Sequence, residues 1–204
     1  MIGESYKKQL NAMHSQGLFN NGLAAYKIVR RFLARVHPDS ILDYGCGHGA
    51  LIEVIRQRHP SITVSGYDPG NPMFDIVPVT PSDVVLSTDV LEHVEPEYID
   101  ATLSGISVLI RKYGFFRIAC YPARKFLPDG RNAHLIVEHP DWWKKKILQT
   151  EQLRIIREKI TRIDKRNQYE GGVGFNYDVV VQKNTFMEPN SFLHLLLKYG
   201  YPRI

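Results

Sequence analysis

The stretch Ile41-Leu42-Asp43-Tyr44-Gly45-Cys46-Gly47-His48-Gly49-Ala50 decides how the rest of the chain is read. The short run from Ser40 to Leu42 reads as the end of a buried strand. Three glycines at alternate positions then make a turn almost without side chains. Leu51 to Arg56 follows with the spacing of a helix. Glycine accepts positive φ and lets a ligand approach the backbone closely. A helix N-terminus offers N–H groups that have no partner within the helix. Strand, glycine turn and helix start together make a place for a nucleotide-like ligand.

The flanking sequence builds a layered α/β domain around that turn. Residues 5–36 read as helical with a break near Gly17–Gly22; Tyr26, Val29, Arg30, Leu33 and Val36 recur at helical spacing. His37-Pro38-Asp39 ends the helix. After the glycine turn a helix runs to about Arg58, and Ile62 to Tyr67 reads as a second strand closed by Asp68-Pro69. Gly70 to Met73 is a loop by composition. Asp83 to Ser87 is the next buried strand, after a gap too short for a helix plus a further strand. Tyr98 to Arg111 reads as a helix with Ile99, Leu103, Ile106 and Ile110 inward, capped by Gly114. Phe115 to Cys120 is a strand, and Tyr121 to His139 a long loop of the kind that serves function. Pro140 starts a helix through Trp142 and Trp143, which either anchor it to the core or form a substrate platform. Leu153 to Ile163 fits a helix by spacing and a strand by its β-branched content. Tyr177 to Val181 is a strand, and Pro189 to Tyr199 reads as a last helix. Strands alternating with helices predict a parallel sheet with helices on both faces. One domain is expected over residues 1–204, with 1–36 as a helical N-terminal cap and 121–148 as a loop and helix over the substrate site.

Composition narrows the class. A chain of 204 residues can bury a full-sized core. No apolar run approaches the roughly 18 residues that span a bilayer, and Met1 to Leu10 lacks the apolar segment of a signal peptide. The two cysteines, Cys46 and Cys120, argue against a disulfide framework or a thiolate zinc site and fit a reducing, cytoplasmic setting. The net charge of +5 is local: residues 144–166 hold nine Lys/Arg against three Asp/Glu. That run is either a solvated face or a patch for an anionic partner such as nucleic acid.

An acid closing the second strand, Asp68, can accept hydrogen bonds from ribose hydroxyls. With Ala50 the turn also satisfies the loose dinucleotide pattern, so the glycines alone leave two cofactor classes open. Asp43, two residues before Gly45, opposes a pyrophosphate and suits a cofactor with a cationic amine. Three blocks then resemble the class I S-adenosylmethionine-dependent methyltransferases: Leu42 to Gly49, Gly66-Tyr67-Asp68-Pro69, and Asp83 to His93 with its Asp-Val-Leu-Glu-His ending. With the strand Phe115 to Cys120 the resemblance covers about residues 38–120. It implies a Rossmann-like three-layer α-β-α sandwich, its sheet mostly parallel with one antiparallel strand near the C-terminus. It implies S-adenosylmethionine as cofactor, with Gly45, Cys46, Gly47 and Gly49 at its methionine end and Asp43 near its amino group. Asp68 and Pro69 would lie at the ribose, and Thr88 and Asp89 at the sulfonium side. The family's usual third strand and its adenine-binding acid are not evident; Asp75 is the candidate acid.

Methyl transfer needs an aligned nucleophile and, for a hydroxyl, a base. His93, Glu92 and loop His134 are the candidate catalytic residues, and they lie where an acceptor would arrive. Asp89, Glu92 and His93 fall within one helical turn. With His134 they resemble the ligand set of metal-assisted methyltransferases of the ubiquinone pathway and of small-RNA 3′ ends, which implies a divalent cation such as Mg or Mn. His93 as a metal-free base is the competing reading. Tyr6 and His14 belong either to a segment folded over the cofactor or to a surface helix. The expected activity is O-methylation of a small molecule or glycan; the alternative is a nucleic-acid methyltransferase using residues 144–166.

Overall fold

The computed structural model describes residues 3–15, 22–164 and 172–184. Its elements are, in order, α1 (Glu4–Ser15), α2 (Gly22–Val36), β1 (Ser40–Tyr44), α3 (Ala50–Arg58), β2 (Thr63–Tyr67), β3 (Ser82–Thr88), α4 (Ile99–Leu109), β4 (Ile110–Cys120), α5 (Pro140–Leu148), β5 (Leu153–Asp164) and β6 (Val173–Lys183). Two single 3-10 turns, Leu91–His93 and Pro96–Tyr98, lead from β3 into α4. The break expected near residues 17–22 and the last helix expected at 189–199 fall largely or wholly outside the described residues.

The six strands lie in the order β2-β1-β3-β4-β6-β5. β1 pairs in parallel with β2 and β3, and β3 with β4. β6 runs antiparallel to both of its neighbours, β4 and β5. It is therefore the one reversed strand, near the C-terminal end as expected. Successive strand residues face opposite sides, so each buried strand serves two cores. On one side α2 and α3 bring Val29, Leu33 and Ile55 against Ile41, Val84 and Leu86. On the other, α4 and α5 bring Leu103, Ile106 and Trp143 against Leu42, Val85 and Phe116. Trp143 is fully buried, consistent with its reading as an anchor.

The C-terminal end of α4 departs from expectation. The helix stops at Leu109, and Ile110, at φ −83° and ψ 120°, already has extended backbone. Gly114 caps nothing: it sits inside β4, between Val85 of β3 and Val181 of β6. A Cβ there would lie 2.8 Å from both Ile110 and Val181. Ile110 pairs with Ser82 of β3, and from Tyr113 onward the strand pairs on both sides; that pairing outweighs the helical spacing that had placed Ile110 in the helix.

The basic run resolves into the end of α5 and the whole of β5, the outer strand of the sheet. Lys144 pairs with Glu158 at 2.7 Å and Lys146 with Asp100 at 2.8 Å. Arg154, Arg157, Lys159 and Arg162 stand along β5, with a register shift between Ile155 and Arg157. Cations and a bulge on an edge strand discourage edge-to-edge pairing with another chain. No helix among the described residues is long and apolar enough to cross a membrane.

Candidate active site

The carboxyl ends of β1, β2 and β3 open into a cavity of about 440 Å3. Its floor is the glycine turn. Gly45, Gly47 and Gly49 all have positive φ, at 82°, 56° and 78°. The N–H groups of Gly45 and Cys46 both donate to the Tyr67 carbonyl, at 2.7 and 3.1 Å, which ties the turn to the end of β2. Gly45 has no substitute, since a Cβ would lie 2.4 Å from both γ-carbons of Val90.

Asp68 holds the turn from the other side. One carboxylate oxygen accepts from Gly47 N–H and the other from Gly70 N–H, both at 2.8 Å. Asn71 donates its amide to the Gly47 carbonyl at 2.7 Å. Each carboxylate oxygen retains acceptor capacity for a ligand hydroxyl. Asn71 was missed in the sequence, where its only signal was membership of a loop. Asp43 lies on the cavity wall and is only 2% exposed. Burial, and then the neighbouring Asp68 carboxylate, push its pKa up to about 7. The Cys46 thiol is pushed well up, chiefly by burial, so this cysteine packs as a thiol. Pro69, Thr88 and Asp89 also line the cavity, whereas Gly49 stands behind it at the start of α3. Asp75 is in a strandless loop and pairs with Lys7 at 3.4 Å.

At the other end lies the block after β3. Asp89 turns away on a positive φ of 56°, its N–H donating to the Arg117 carbonyl at 2.9 Å. Its carboxylate is 3.8 Å from Arg117, which in turn reaches Asp178 at 3.2 Å. Glu92, His93 and His134 converge instead: each offers a ligand atom, and these atoms lie within 4.8 Å of one another. Asp89, expected as a fourth member, is outside that trio. Glu92 is fully buried. Its Oε1 accepts from Ala119 N–H at 3.0 Å, and its Oε2 has no hydrogen-bond partner among the described residues. Burial, with the Asp89 charge adding, holds its carboxyl well above the usual range. His93 Nδ1 lies 2.7 Å from the Ala133 carbonyl, and His134 Nδ1 faces the Tyr121 carbonyl. A carbonyl only accepts, so Nδ1 carries the proton in both rings and the lone pair of each neutral ring is on Nε2. Burial, and then the His134 ring, lower the pKa of His93 to about 4.

A roof crosses the cavity. Tyr6 of α1 is buried, lines the cavity and donates its hydroxyl to the His93 carbonyl at 2.6 Å. Tyr6 also packs on Leu127 and Ala133 of the loop after β4. The N-terminal segment and the long loop thus meet over one site. The side chain of His14 lies outside the described residues.

Comparison with known proteins gives the family and the fold. The family model described as a methyltransferase domain matches residues 19–201. A trans-aconitate 2-methyltransferase of Mycolicibacterium gilvum is 28% identical over 145 residues, which are 59% of this chain and 56% of that relative. The chain therefore spans little more than half the length of that curated relative. Among solved structures, 1,6-didemethyltoxoflavin-N1-methyltransferase of Burkholderia thailandensis, with its substrate and S-adenosylhomocysteine bound, superposes with a TM-score of 0.57 at 14% identity over 90% of this chain and 91% of that one. Magnesium protoporphyrin IX methyltransferase of Synechocystis, with S-adenosylhomocysteine bound, gives 0.55 at 18% identity over 80% and 83%. At such identities the likeness is one of fold.

Proposed function

The chain belongs to the methyltransferase-domain family, and from that premise we propose that it is an S-adenosylmethionine-dependent methyltransferase acting on a hydroxyl of a small molecule or glycan. The observation that carries the cofactor is Asp43, a buried carboxylate whose pKa near 7 marks a charge with too little compensation from its own chain. The α-ammonium of S-adenosylmethionine supplies that compensation. Gly45, Cys46 and Gly47 take the methionine end, Asp68 with Pro69 the ribose, and Thr88 with Asp89 the sulfonium side. The N-terminal cap and residues 121–148 close over the acceptor.

His93 carries the choice of a hydroxyl. Its depressed pKa keeps the ring neutral at pH 7, with the basic lone pair on Nε2. The acceptor oxygen bonds to the methyl carbon as the carbon–sulfur bond breaks. His93 takes the hydroxyl proton, and S-adenosylhomocysteine leaves. His134 and Glu92 sit beside the base and orient it.

A second reading is favoured by Glu92 Oε2, a buried oxygen without a hydrogen-bond partner among the described residues, next to two imidazoles. Glu92, His93 and His134 fit a divalent cation: both Nδ1 atoms face backbone carbonyls, the usual second support of a metal-bound histidine. Such an ion would lower the pKa of an acceptor hydroxyl. The three donors, up to 4.8 Å apart, would have to draw in by about 1 Å around an ion with bonds near 2.1 Å.

One screen tests these readings. Transfer of labelled methyl from S-adenosylmethionine is measured over hydroxylated small molecules, sugars and RNA, with and without EDTA. Labelling of hydroxyl compounds that survives EDTA supports His93 as the base, and loss in EDTA with recovery by Mn or Mg supports the cation. Labelling of RNA alone, or no binding of S-adenosylhomocysteine by calorimetry, would sink the proposal.

A further inference from the structure

The two outer strands of the sheet are guarded differently. β5 carries Arg154, Arg157, Lys159 and Arg162 together with a register shift. β2 closes the opposite flank, and no strand pairs with its outer edge among the described residues. Its sequence, Thr63-Val64-Ser65-Gly66-Tyr67, holds no charge and no proline, and it pairs with β1 without a register shift. Such an edge is a template for a further strand.

The hydrogen bonds of β2 fix which groups face outward. Thr63 N–H donates to the Asp39 carbonyl, and the Tyr67 carbonyl accepts from Gly45 and Cys46, so these alternate residues face β1. In a parallel pair the residues between them turn both N–H and C=O the other way. Val64 and Gly66 therefore present their peptide groups outward. Arg56 of α3 reaches the Val64 carbonyl at 2.7 Å and is the guard of this edge. Just past the strand, the outward Asp68 N–H donates to the Phe74 carbonyl at 2.9 Å. That bond starts an apolar loop at the same edge: Met73, Ile76, Val77 and Val79 are 84%, 84%, 44% and 78% exposed. They leave on the order of 500 Å2 of surface open, so two copies supply about 1,000 Å2, the area a specific interface needs.

We propose that the outer edge of β2 is a dimer interface, paired antiparallel with the same edge of a second copy about a twofold axis at Ser65. The outward groups set the register. Val64 exchanges N–H···O bonds with Gly66 of the second copy, and Gly66 with its Val64. Ser65 then stands opposite its own twin as a non-hydrogen-bonded pair. A twofold contact has to be complementary to itself, and the flank meets that condition. The strand is neutral, and the axis sets the two α3 helices antiparallel on one face of the joined sheet. Glu53 and Arg56 are exposed and share a face of α3. The axis brings Glu53 of one copy toward Arg56 of the other, which releases the Val64 carbonyl to the incoming strand. The contact is independent of the transfer chemistry.

Sedimentation velocity at micromolar concentrations finds the wild-type protein dimeric. Ser65→Cys places two thiols across the axis, and oxidation with diamide links the copies; Cys46 and Cys120 are buried and do not compete. Lys159→Cys, exposed on β5, links far more slowly. Ile76→Asp sets a carboxylate into the apolar contact and weakens dimerisation by at least about tenfold. Ser65→Lys puts two like charges directly opposite and gives monomers. Both positions are exposed, so far-UV circular dichroism of these two variants matches the wild type. A wild-type monomer throughout that range, Ser65→Cys linking no faster than Lys159→Cys, or undiminished dimerisation in both Ile76→Asp and Ser65→Lys would each overturn the proposal.

Discussion

Two buried aspartates on neighbouring strands have opposite surroundings. Asp83, at the amino end of β3, has a side chain 3% exposed and is met by Arg111 at 3.0 Å and Lys112 at 2.9 Å. It also accepts from Asp39 N–H at 3.1 Å. The Lys112 hydrogen bond leads the causes that hold its carboxyl below the usual range. Asp43, at the carboxyl end of β1, is just as buried but has the Asp68 carboxylate for a neighbour, and its pKa rises to about 7. The sheet is therefore finished at one end and left short of positive charge at the other. A buried charge without enough compensation costs several kcal/mol unless the group takes up a proton. Under the function proposed above, a cation that arrives with the ligand supplies that compensation at Asp43.

The largest expected effect separates function from stability. Asp43→Asn weakens S-adenosylhomocysteine binding by about a hundredfold, because the ammonium loses its counter-charge. The same change raises the melting temperature of the ligand-free protein at pH 8. The sign follows from linkage. A carboxyl whose folded pKa lies near 7, above its unfolded value of about 3.9, destabilises the fold as pH rises between the two, by up to about 4 kcal/mol. The neutral amide of the variant carries no such cost. Thermal melts from pH 5 to 8, with and without ligand, check both halves.

Asp83→Asn reverses the pattern. It removes a carboxylate that two cations and an amide surround, and stability falls by about 2 kcal/mol in urea unfolding while ligand affinity stays put. Asp83 stabilises above its unfolded pKa and loses that contribution as pH drops below about 4, opposite in sign to Asp43. Equal effects of the two variants on binding would erase the distinction between the two ends of the sheet.

Smaller effects sharpen it. Tyr6→Phe removes the hydrogen bond to the His93 carbonyl, so stability drops by about 1 kcal/mol and acceptor KM rises a few-fold in steady-state kinetics. The change acts on the roof, so the pH dependence of cofactor binding stays as in the wild type.

The opening stretch was readable because its signals are local. β1, the glycine turn and α3 lie where strand content, alternate glycines and helical spacing put them, and so do β2 and β3. The reading failed where pairing decides. Ile110 belongs to β4 through Ser82 of β3 and Gly114 through strands on both sides, and Leu153 to Asp164, open between helix and strand in the sequence, is a strand by pairing with β6. The site divided in the same way. Asp43, Asp68 and His93 stood out through residues beside them in sequence. Asp89 has helical spacing to Glu92 and His93, but its positive φ and Arg117 draw it out of the trio. Tyr6 was ambiguous and Asn71 unmarked, since their meaning depends on contacts 87 and 24 residues away, Tyr6 to His93 and Asn71 to Gly47.

The most direct test is calorimetry of S-adenosylhomocysteine binding at pH 6 in buffers of different ionisation enthalpy. With Asp43 near pKa 7 when empty and ionised when bound, binding at pH 6 releases close to one proton. Affinity then strengthens by up to about tenfold per pH unit up to 7 and levels off above. Asp43→Asn shows neither effect. Wild-type binding with no proton released and an affinity flat from pH 5.5 to 7 would contradict the account.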